Sequence, residues 1–431
     1  MREIKPLSIK SAVVAVPGSK SYTHRMLIAA ALSDGRCLLQ NCLDSEDTRY
    51  TRRALRQLGL RIEDGGKTWI VHGKHGVISP CRISVFLGNS GTSMRLLAAV
   101  AALGKGSYTL TGADRMCQRP IQELVDGLKQ AGADARCQKN NGCPPIEVSG
   151  NGIAGGRITL NCRTSSQYLS AMLLIAPYTQ RGLEIKVSEG PVSKPYVDIT
   201  LDVMRQFGVS TKRRHYDWFK VNGLQVYRAG EFTVEADCSQ AGYFWAAAAI
   251  TGGSVMVRDI ARHSYQGDIR FLELLEMMGC KIFRASGGIR VCGGPLSAIE
   301  TEMADMPDLV PTLAVVAAFA KGTTVIKKVA HLAAKESNRL AALENELSKM
   351  KIDAGLDGDN LIIRGGHPQG AAIDTYEDHR IAMSFAVAGL NCPGMMIKDE
   401  KCVEKSFPNF WQVFEGLYRK NDVRQPVGEK L

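Results

Sequence analysis

The feature that most constrains this chain is a phrase repeated six times. A polar cluster followed by an apolar, alanine-rich stretch recurs at intervals of about 70 residues, the kind of fixed period that marks a repeat architecture. The clusters are anchored at Ser21, Ser90, Ser165, Ser239, Asp308 and Asp378. The stretches behind them, 25–32, 93–103, 168–177, 243–250, 311–320 and 380–390, read as buried helices. Gly104, Gly182, Gly252 and Gly322 are expected to close four of them as C-caps.

A second marker keeps the same period. Short strand patterns, as at 109–111 and 183–187, lead into amphipathic helices ending near Leu58-Gly59, Ala131-Gly132, Phe207-Gly208, Met278-Gly279 and Lys349-Met350. Further strand patterns, such as 281–283 and 288–291, close each unit, and the last copy, 395–418, stops after its helix. The reading is an α/β chain of six units, each of form βαββαβ, grouped three and three into two domains. Expected crossings near 15–18 and 230–237 divide the chain into 1–15 plus 236–431 and 16–235, with the site in the cleft between them.

Composition narrows the class. With 431 residues the chain exceeds a single typical domain, and 45% hydrophobic with 23% charged residues is ordinary for globular proteins. The longest apolar runs, such as 96–103, fall far short of the ~20 residues that span a bilayer, and Met1 to Pro6 opens no secretory h-region; no membrane partner is expected. Twelve scattered cysteines form no Cys-x-x-Cys pair and no zinc spacing, so the expectation is no metal and reduced thiols in a cytoplasm. The net charge of +11 suits anionic ligands. Its densest cluster, Lys212-Arg213-Arg214-His215, is short, and aromatics are only 6%, which favours small anions over nucleic acid.

The polar clusters fall at helix N-termini, where unpaired N–H groups and the helix dipole attract anions. Ordinary capping accounts for the Ser, Asn and Asp residues there. It does not account for Lys20, Arg25, Arg95 and Arg380, cations placed where the dipole disfavours them. An anionic partner does.

Together, Pro17-Gly18-Ser19-Lys20-Ser21, Leu87-Gly88-Asn89-Ser90-Gly91-Thr92, Arg119-Pro120, Ser165-Ser166-Gln167, Ser193-Lys194-Pro195-Tyr196, Pro307-Asp308, Lys335-Glu336-Ser337-Asn338-Arg339, Asp378-His379-Arg380 and Lys405 resemble the EPSP synthase (3-phosphoshikimate 1-carboxyvinyltransferase) family. The motifs run in family order over nearly the whole chain. The resemblance implies two inside-out α/β domains and transfer of the enolpyruvyl group of phosphoenolpyruvate to the 5-hydroxyl of shikimate 3-phosphate, with no cofactor. It implies that Lys20, Ser21, Arg25, Ser165, Ser166, Gln167, Ser193, Tyr196, Asp308, His331 and Lys335 hold shikimate 3-phosphate. Lys20, Asn89, Gly91, Arg119, Gln167, Arg339, Arg380 and Lys405 would surround phosphoenolpyruvate. Asp308 would be the base, Glu336 or Lys405 the proton donor, and Lys20 would serve both substrates. Gly91 implies inhibition by glyphosate, and a monomer is expected.

Some positions depart from the family pattern: His331 stands for the usual Asn, Asn338 for Asp, Tyr22-Thr23-His24 for Ser-x-Asn, and Leu96 for a frequent Pro. The sister enzymes acting on UDP-N-acetylglucosamine open their site with Lys-Asn and carry a cysteine five residues before the arginine. Here Ser21 follows Lys20, and Cys117 lies two residues before Arg119.

Overall fold

The computed structural model describes residues 1–81 and 83–419; residues 420–431 of the expected C-terminal domain lie outside the described residues. Among the described residues six small sheets carry the repeat. In the third, Gly156–Asn161 runs parallel to Leu183–Glu189, which pairs antiparallel with Trp218–Val221, and Lys212–Arg214 completes the edge. The second and fifth sheets repeat that order, led by Val85–Phe86 and Glu300–Glu302.

The first and fourth sheets borrow their leading strand from a distant part of the chain. Glu231–Thr233 lies parallel to Arg36–Gln40, and Ala12–Ala15 lies parallel to Ser254–Arg258. The two connecting segments run side by side: Gly18 bridges Ala236, Ser19 N–H donates to the Glu235 carbonyl at 2.8 Å, and Asp237 N–H donates to the Pro17 carbonyl at 2.9 Å. The sixth sheet pairs Arg2–Ile4 with Met395–Ile397, flanked by Ala372–Ile373.

Sheets lie outside and helices inside, and the sequence pattern shows why. Leu183–Glu189 is buried at 183, 185 and 187 only, the period-two signature of a strand with one solvated face. The inner helix Gly91–Ala102 is buried at every residue but Thr92. Small alanines around its circumference let it pack against Gln167–Ile175, which also meets Lys20–Leu32. In the other half His379–Ala388 packs on Val310–Ala318 and Cys238–Thr251. Buried apolar residues form two clusters, one spanning Tyr22 to Val234, the other joining Ile4–Val16 to Ala236–Leu417.

The six-unit α/β reading holds, with a correction inside the unit. The elements run β, α, β, α, β, β, as in 156–221, rather than βαββαβ. One strand links the inner to the outer helix, and the last two strands form a hairpin.

Five outer helices, Glu46–Gln57, Gln122–Gln130, Pro195–Gln206, Phe271–Met277 and Arg339–Lys349, stop in the same way. Leu60, Ala133, Val209, Cys280 and Ile352 donate their N–H to the carbonyls of Leu55, Leu128, Met204, Leu275 and Leu347, the long bond of a Schellman motif. The preceding residue is left-handed each time; it is glycine in four copies, but Lys351 in the fifth, at φ 62°. The inner helices are different. Only Gly252 caps its helix in the left-handed region, at φ 69°. Gly104, Gly182 and Gly322 lie beyond the caps Leu103, Ala176 and Phe319. Gly104 serves close packing instead: a Cβ there would stand 2.0 Å from the Tyr108 hydroxyl. Among the described residues no helix is long and apolar enough to cross a membrane.

Candidate functional site

Capping accounts for part of the polar clusters and leaves the rest available. Ser19, Ser90, Asp237 and Asp378 accept from the N–H groups of Tyr22, Ser93, Gln240 and Arg380. The fourth cap is therefore Asp237 rather than the expected anchor Ser239, whose hydroxyl donates to Asp268. Asp308 caps nothing; it sits in the single 3₁₀ turn Pro307–Leu309 that precedes Val310–Ala318.

The starts at Lys20, Thr92, Ser165 and Asp308 open on one cleft enclosing about 750 Å³, its mouth included, and Ser19, Asp237, Ser239 and Arg380 line a smaller cavity that shares Lys20, Ser21 and Tyr196 with it. Residues before the second crossing supply Lys20, Ser21, Arg25, Arg119, Ser165, Ser166, Gln167, Ser193 and Tyr196; residues after it supply Asp308, His331, Lys335 and Glu336. Of the remaining five candidates, Arg339 and Arg380 contact Asp308, Asn89 contacts Arg119, Lys405 reaches the wall through Asn89, and Gly91 lies close to Arg119 and Arg95. Arg339 reaches Asp308 Oδ1 at 2.9 Å, Glu336 Oε2 at 2.9 Å and Asp378 Oδ2 at 2.8 Å. Arg380 reaches Asp308 Oδ2 at 2.8 Å and the Tyr243 hydroxyl at 3.2 Å. Lys405 Nζ and Arg119 Nη1 both donate to the Asn89 carbonyl, at 2.9 and 3.1 Å.

The carboxylates are set by these cations. Burial alone would raise Asp308; Arg380, Arg339, Lys20 and Lys335 outweigh it and hold the carboxyl well below its ordinary range. The Tyr196 hydroxyl adds a hydrogen bond to Asp308 Oδ2 at 3.3 Å. Burial also opposes ionisation of Glu336, and Arg119, Arg339, Lys405 and Lys20 overcome it in the same way. Lys335 moves the other way, down to about 8, chiefly because its surroundings are poor in water and Arg339 and Arg119 repel its charge. His331 is pushed down to about 3 by burial with Lys335 and Arg339 nearby, so it faces the cleft as a neutral imidazole.

Arg25 is more occupied than its sequence position suggests. Its Nε donates to Thr200 Oγ1 at 2.7 Å, one terminal nitrogen to the Ser21 carbonyl and the other to Ser170 Oγ. Arg95, noted in the sequence only as a helix-start cation, also lines the cleft and joins Gln167 Oε1 at 2.8 Å to the Pro120 carbonyl at 3.0 Å.

Asp47 is the principal residue that sequence reasoning missed. It is buried, and its carboxylate reaches Lys20 Nζ at 3.2 Å and Lys405 Nζ at 3.4 Å, tying together lysines 385 positions apart. It lies in the first turn of Glu46–Gln57 beside Glu46, where acidic residues are ordinary, so no sequence signal distinguished it.

Gly91 has a steric reason to be glycine. An added Cβ would lie 2.7 Å from Arg119 Nη2 and 2.8 Å from Arg95 Nη1. Summed over the site, the eight cations Lys20, Arg25, Arg95, Arg119, Lys335, Arg339, Arg380 and Lys405 outnumber the carboxylates Asp47, Asp308, Glu336 and Asp378, even with Asp237 and Asp268 close to Arg380. An excess of cations in a partly dehydrated cleft favours ligands carrying several negative charges. Among the described residues no group of three or more His, Cys, Asp or Glu side chains is arranged to hold a metal ion.

Comparisons with known proteins agree on one family. The family model described as EPSP synthase (3-phosphoshikimate 1-carboxyvinyltransferase) matches residues 4–414. The chain is similar to the 3-phosphoshikimate 1-carboxyvinyltransferase of Syntrophobacter fumaroxidans, 43% identical over 419 residues, covering 96% of this chain and 99% of that protein. The Vibrio cholerae enzyme of the same description is 42% identical over 421 residues, with the same two shares. Among solved structures, EPSP synthase from Acinetobacter baumannii superposes with a TM-score of 0.81 at 28% identity, covering 96% of this chain and 97% of that one.

Proposed function

The chain belongs to the EPSP synthase family, and on that premise we propose which side chains carry out its chemistry. The reaction is transfer of the enolpyruvyl group of phosphoenolpyruvate to the 5-hydroxyl of shikimate 3-phosphate, a step of the shikimate pathway that releases phosphate. The observation that carries the assignment of roles is the meeting of Lys20, Arg119, Asp308, Lys335 and Glu336 around a single cleft.

Lys20, Ser21, Arg25, Ser165, Ser166, Gln167, Ser193, Tyr196, His331 and Lys335 hold shikimate 3-phosphate. The hydroxyls and amide fix its orientation, and the cations neutralise its phosphate. Lys20, Asn89, Gly91, Arg119, Gln167, Arg339, Arg380 and Lys405 surround phosphoenolpyruvate. Arginine forks match its carboxylate, and lysines act as point charges on its phosphate. Holding two anions side by side against their repulsion is itself a large part of the rate enhancement.

Asp308 accepts the proton of the 5-hydroxyl while that oxygen attacks C2 of phosphoenolpyruvate and C3 takes up a proton. As long as Arg339 and Arg380 both grip it, Asp308 is a weak base. The carboxylate of phosphoenolpyruvate competes for those two arginines, so its arrival frees Asp308 for proton transfer. In the second step the tetrahedral intermediate loses phosphate as a methyl proton leaves. Glu336 or Lys405 handles the carbon-bound proton. Glu336, held ionised, donates only after taking one up, whereas a lysine ammonium has one to give.

Two lobes, 1–15 plus 236–431 and 16–235, are supported by the two apolar clusters and the paired crossings. They close on the substrates as a monomer, with the cleft furnished by one chain. Free thiols at all twelve cysteines fit a cytoplasm, and a site whose cations face inward fits small anions rather than nucleic acid or membrane. Glyphosate, a small anion carrying carboxylate and phosphonate, inhibits by occupying the phosphoenolpyruvate side. The test is phosphate release with phosphoenolpyruvate and shikimate 3-phosphate, compared with UDP-N-acetylglucosamine as acceptor. Turnover with the first acceptor alone is expected; turnover with the sugar nucleotide alone would refute the reading.

A further inference from the structure

Arg115 lies outside the cleft wall, yet it makes the densest set of contacts between distant parts of the chain near the site. Its Nε donates to the Glu336 carbonyl at 3.2 Å, and one terminal nitrogen donates to the carbonyls of Ala333 at 3.2 Å and Lys335 at 3.0 Å. One guanidinium thus gathers three backbone oxygens of the segment that carries Lys335 and Glu336. That segment begins in the short 3₁₀ turn Ala330–Ala334 and precedes Arg339–Lys349. Arg115 itself opens the 3₁₀ turn Met116–Gln118, and Arg119, at the end of that turn, faces the Glu336 carboxylate at 3.7 Å. The loop 115–119 therefore grips 333–336 twice, through backbone and through side chain.

We propose that Arg115 is a positioning residue: it latches the loop bearing Arg119 to the segment bearing Lys335 and Glu336, so that these groups are in register with the substrates only when the cleft is shut. The inference rests on the roles proposed above for Lys335 and Glu336. The residue type fits the task. A planar guanidinium offers several N–H donors in fixed directions, whereas a lysine ammonium is a single point donor on a flexible stem. Small displacements of reacting groups are costly, about 100-fold in rate for about 1 Å. Loss of the latch is therefore expected in the chemical step and not in binding of the first substrate, whose proposed partners sit mainly on the other wall.

The experiment compares the full-length protein with Arg115→Ala and Arg115→Lys. It measures kcat by phosphate release, shikimate 3-phosphate affinity by calorimetry, melting temperature, and radius of gyration with saturating shikimate 3-phosphate and glyphosate. Arg115→Ala is expected to lower kcat about 10- to 100-fold while affinity and melting temperature stay at the parent values. The liganded radius should remain larger than the parent's, and Arg115→Lys should recover only part of kcat. Arg115→Gln, closer in shape, carries the same test if the alanine variant does not fold. A variant with the parent's kcat and compaction overturns the latch, as does a fall in kcat matched by a fall in melting temperature. Parent turnover and its loss in Asp308→Asn report separately on the proposed function, so either idea can fail alone.

Discussion

The two walls of the cleft are built differently. On the wall from the first half, Ser21, Ser165, Ser166, Ser193 and Gln167 present neutral donors and acceptors beside the cations Lys20, Arg95 and Arg119. Among the described residues no carboxylate lines it, and Arg25 is held by Thr200, Ser170 and the Ser21 carbonyl. On the wall from the second half, every carboxylate is clamped by cations: Asp308 by Arg339 and Arg380, Glu336 by Arg339 and Arg119. A wall rich in hydroxyls can orient a ligand by hydrogen bonds without exchanging ion pairs. A wall of ion pairs can exchange partners, because an incoming carboxylate offers the arginines what Asp308 and Glu336 offer them now. The first wall is suited to recognition and the second to proton transfer.

That contrast is open to attack by substitution. The largest effect is expected for Asp308→Asn, which keeps the shape and removes the base. Its kcat should fall about 10²- to 10⁴-fold with shikimate 3-phosphate affinity little changed, and a parent-like kcat would deny the second wall its chemistry. Next is Gly91→Ala. Its methyl would crowd Arg119 and Arg95, so KM for phosphoenolpyruvate should rise about tenfold, the cost of displacing one charged contact, and glyphosate inhibition should weaken further. Equal sensitivity of both proteins to glyphosate would place the inhibitor elsewhere. On the recognition wall, Ser165→Ala removes one neutral hydrogen bond and should raise KM for shikimate 3-phosphate about 2- to 10-fold with kcat intact. A large fall in kcat would blur the distinction between the walls.

The smallest effect is a shift in pH dependence. Lys335 titrates near 8 in the free protein, and kcat/KM reports free-enzyme groups. Activity that uses its positive charge should fall as pH rises through about 8, and Lys335→Arg should move that limb upward. The linked stability has the opposite sign: a lysine whose folded pKa is depressed costs stability below about 8 and ceases to cost as pH approaches its unfolded value.

The period of the repeat was legible because inner and outer helices carry different compositions. Alanine-rich stretches are buried all round, and amphipathic ones end in a left-handed turn that usually demands glycine. Lys351, the non-glycine copy, shows how a unit can keep that turn after losing its marker. The order within a unit was legible piece by piece, one strand before the amphipathic helix and two after it, and only the overall form βαββαβ misplaced the second helix. In the site, charged groups at helix starts were conspicuous against the dipole. Asp47 was not, because an acidic residue in a first turn is what the dipole favours. Arg115 was equally hidden: its partners lie 218 to 221 residues away, and nothing local distinguishes a clasp from a surface charge.

The central claim is that side chains from the two walls act on one reacting centre. Lys20 and Asp308, 288 positions apart, test it as a double variant. If both serve the same transition state, Lys20→Ala combined with Asp308→Asn should release phosphate no more slowly than the slower single variant, within about threefold, because groups acting as a unit are non-additive. Losses that multiply in full would mean the two residues work independently, and would contradict the account.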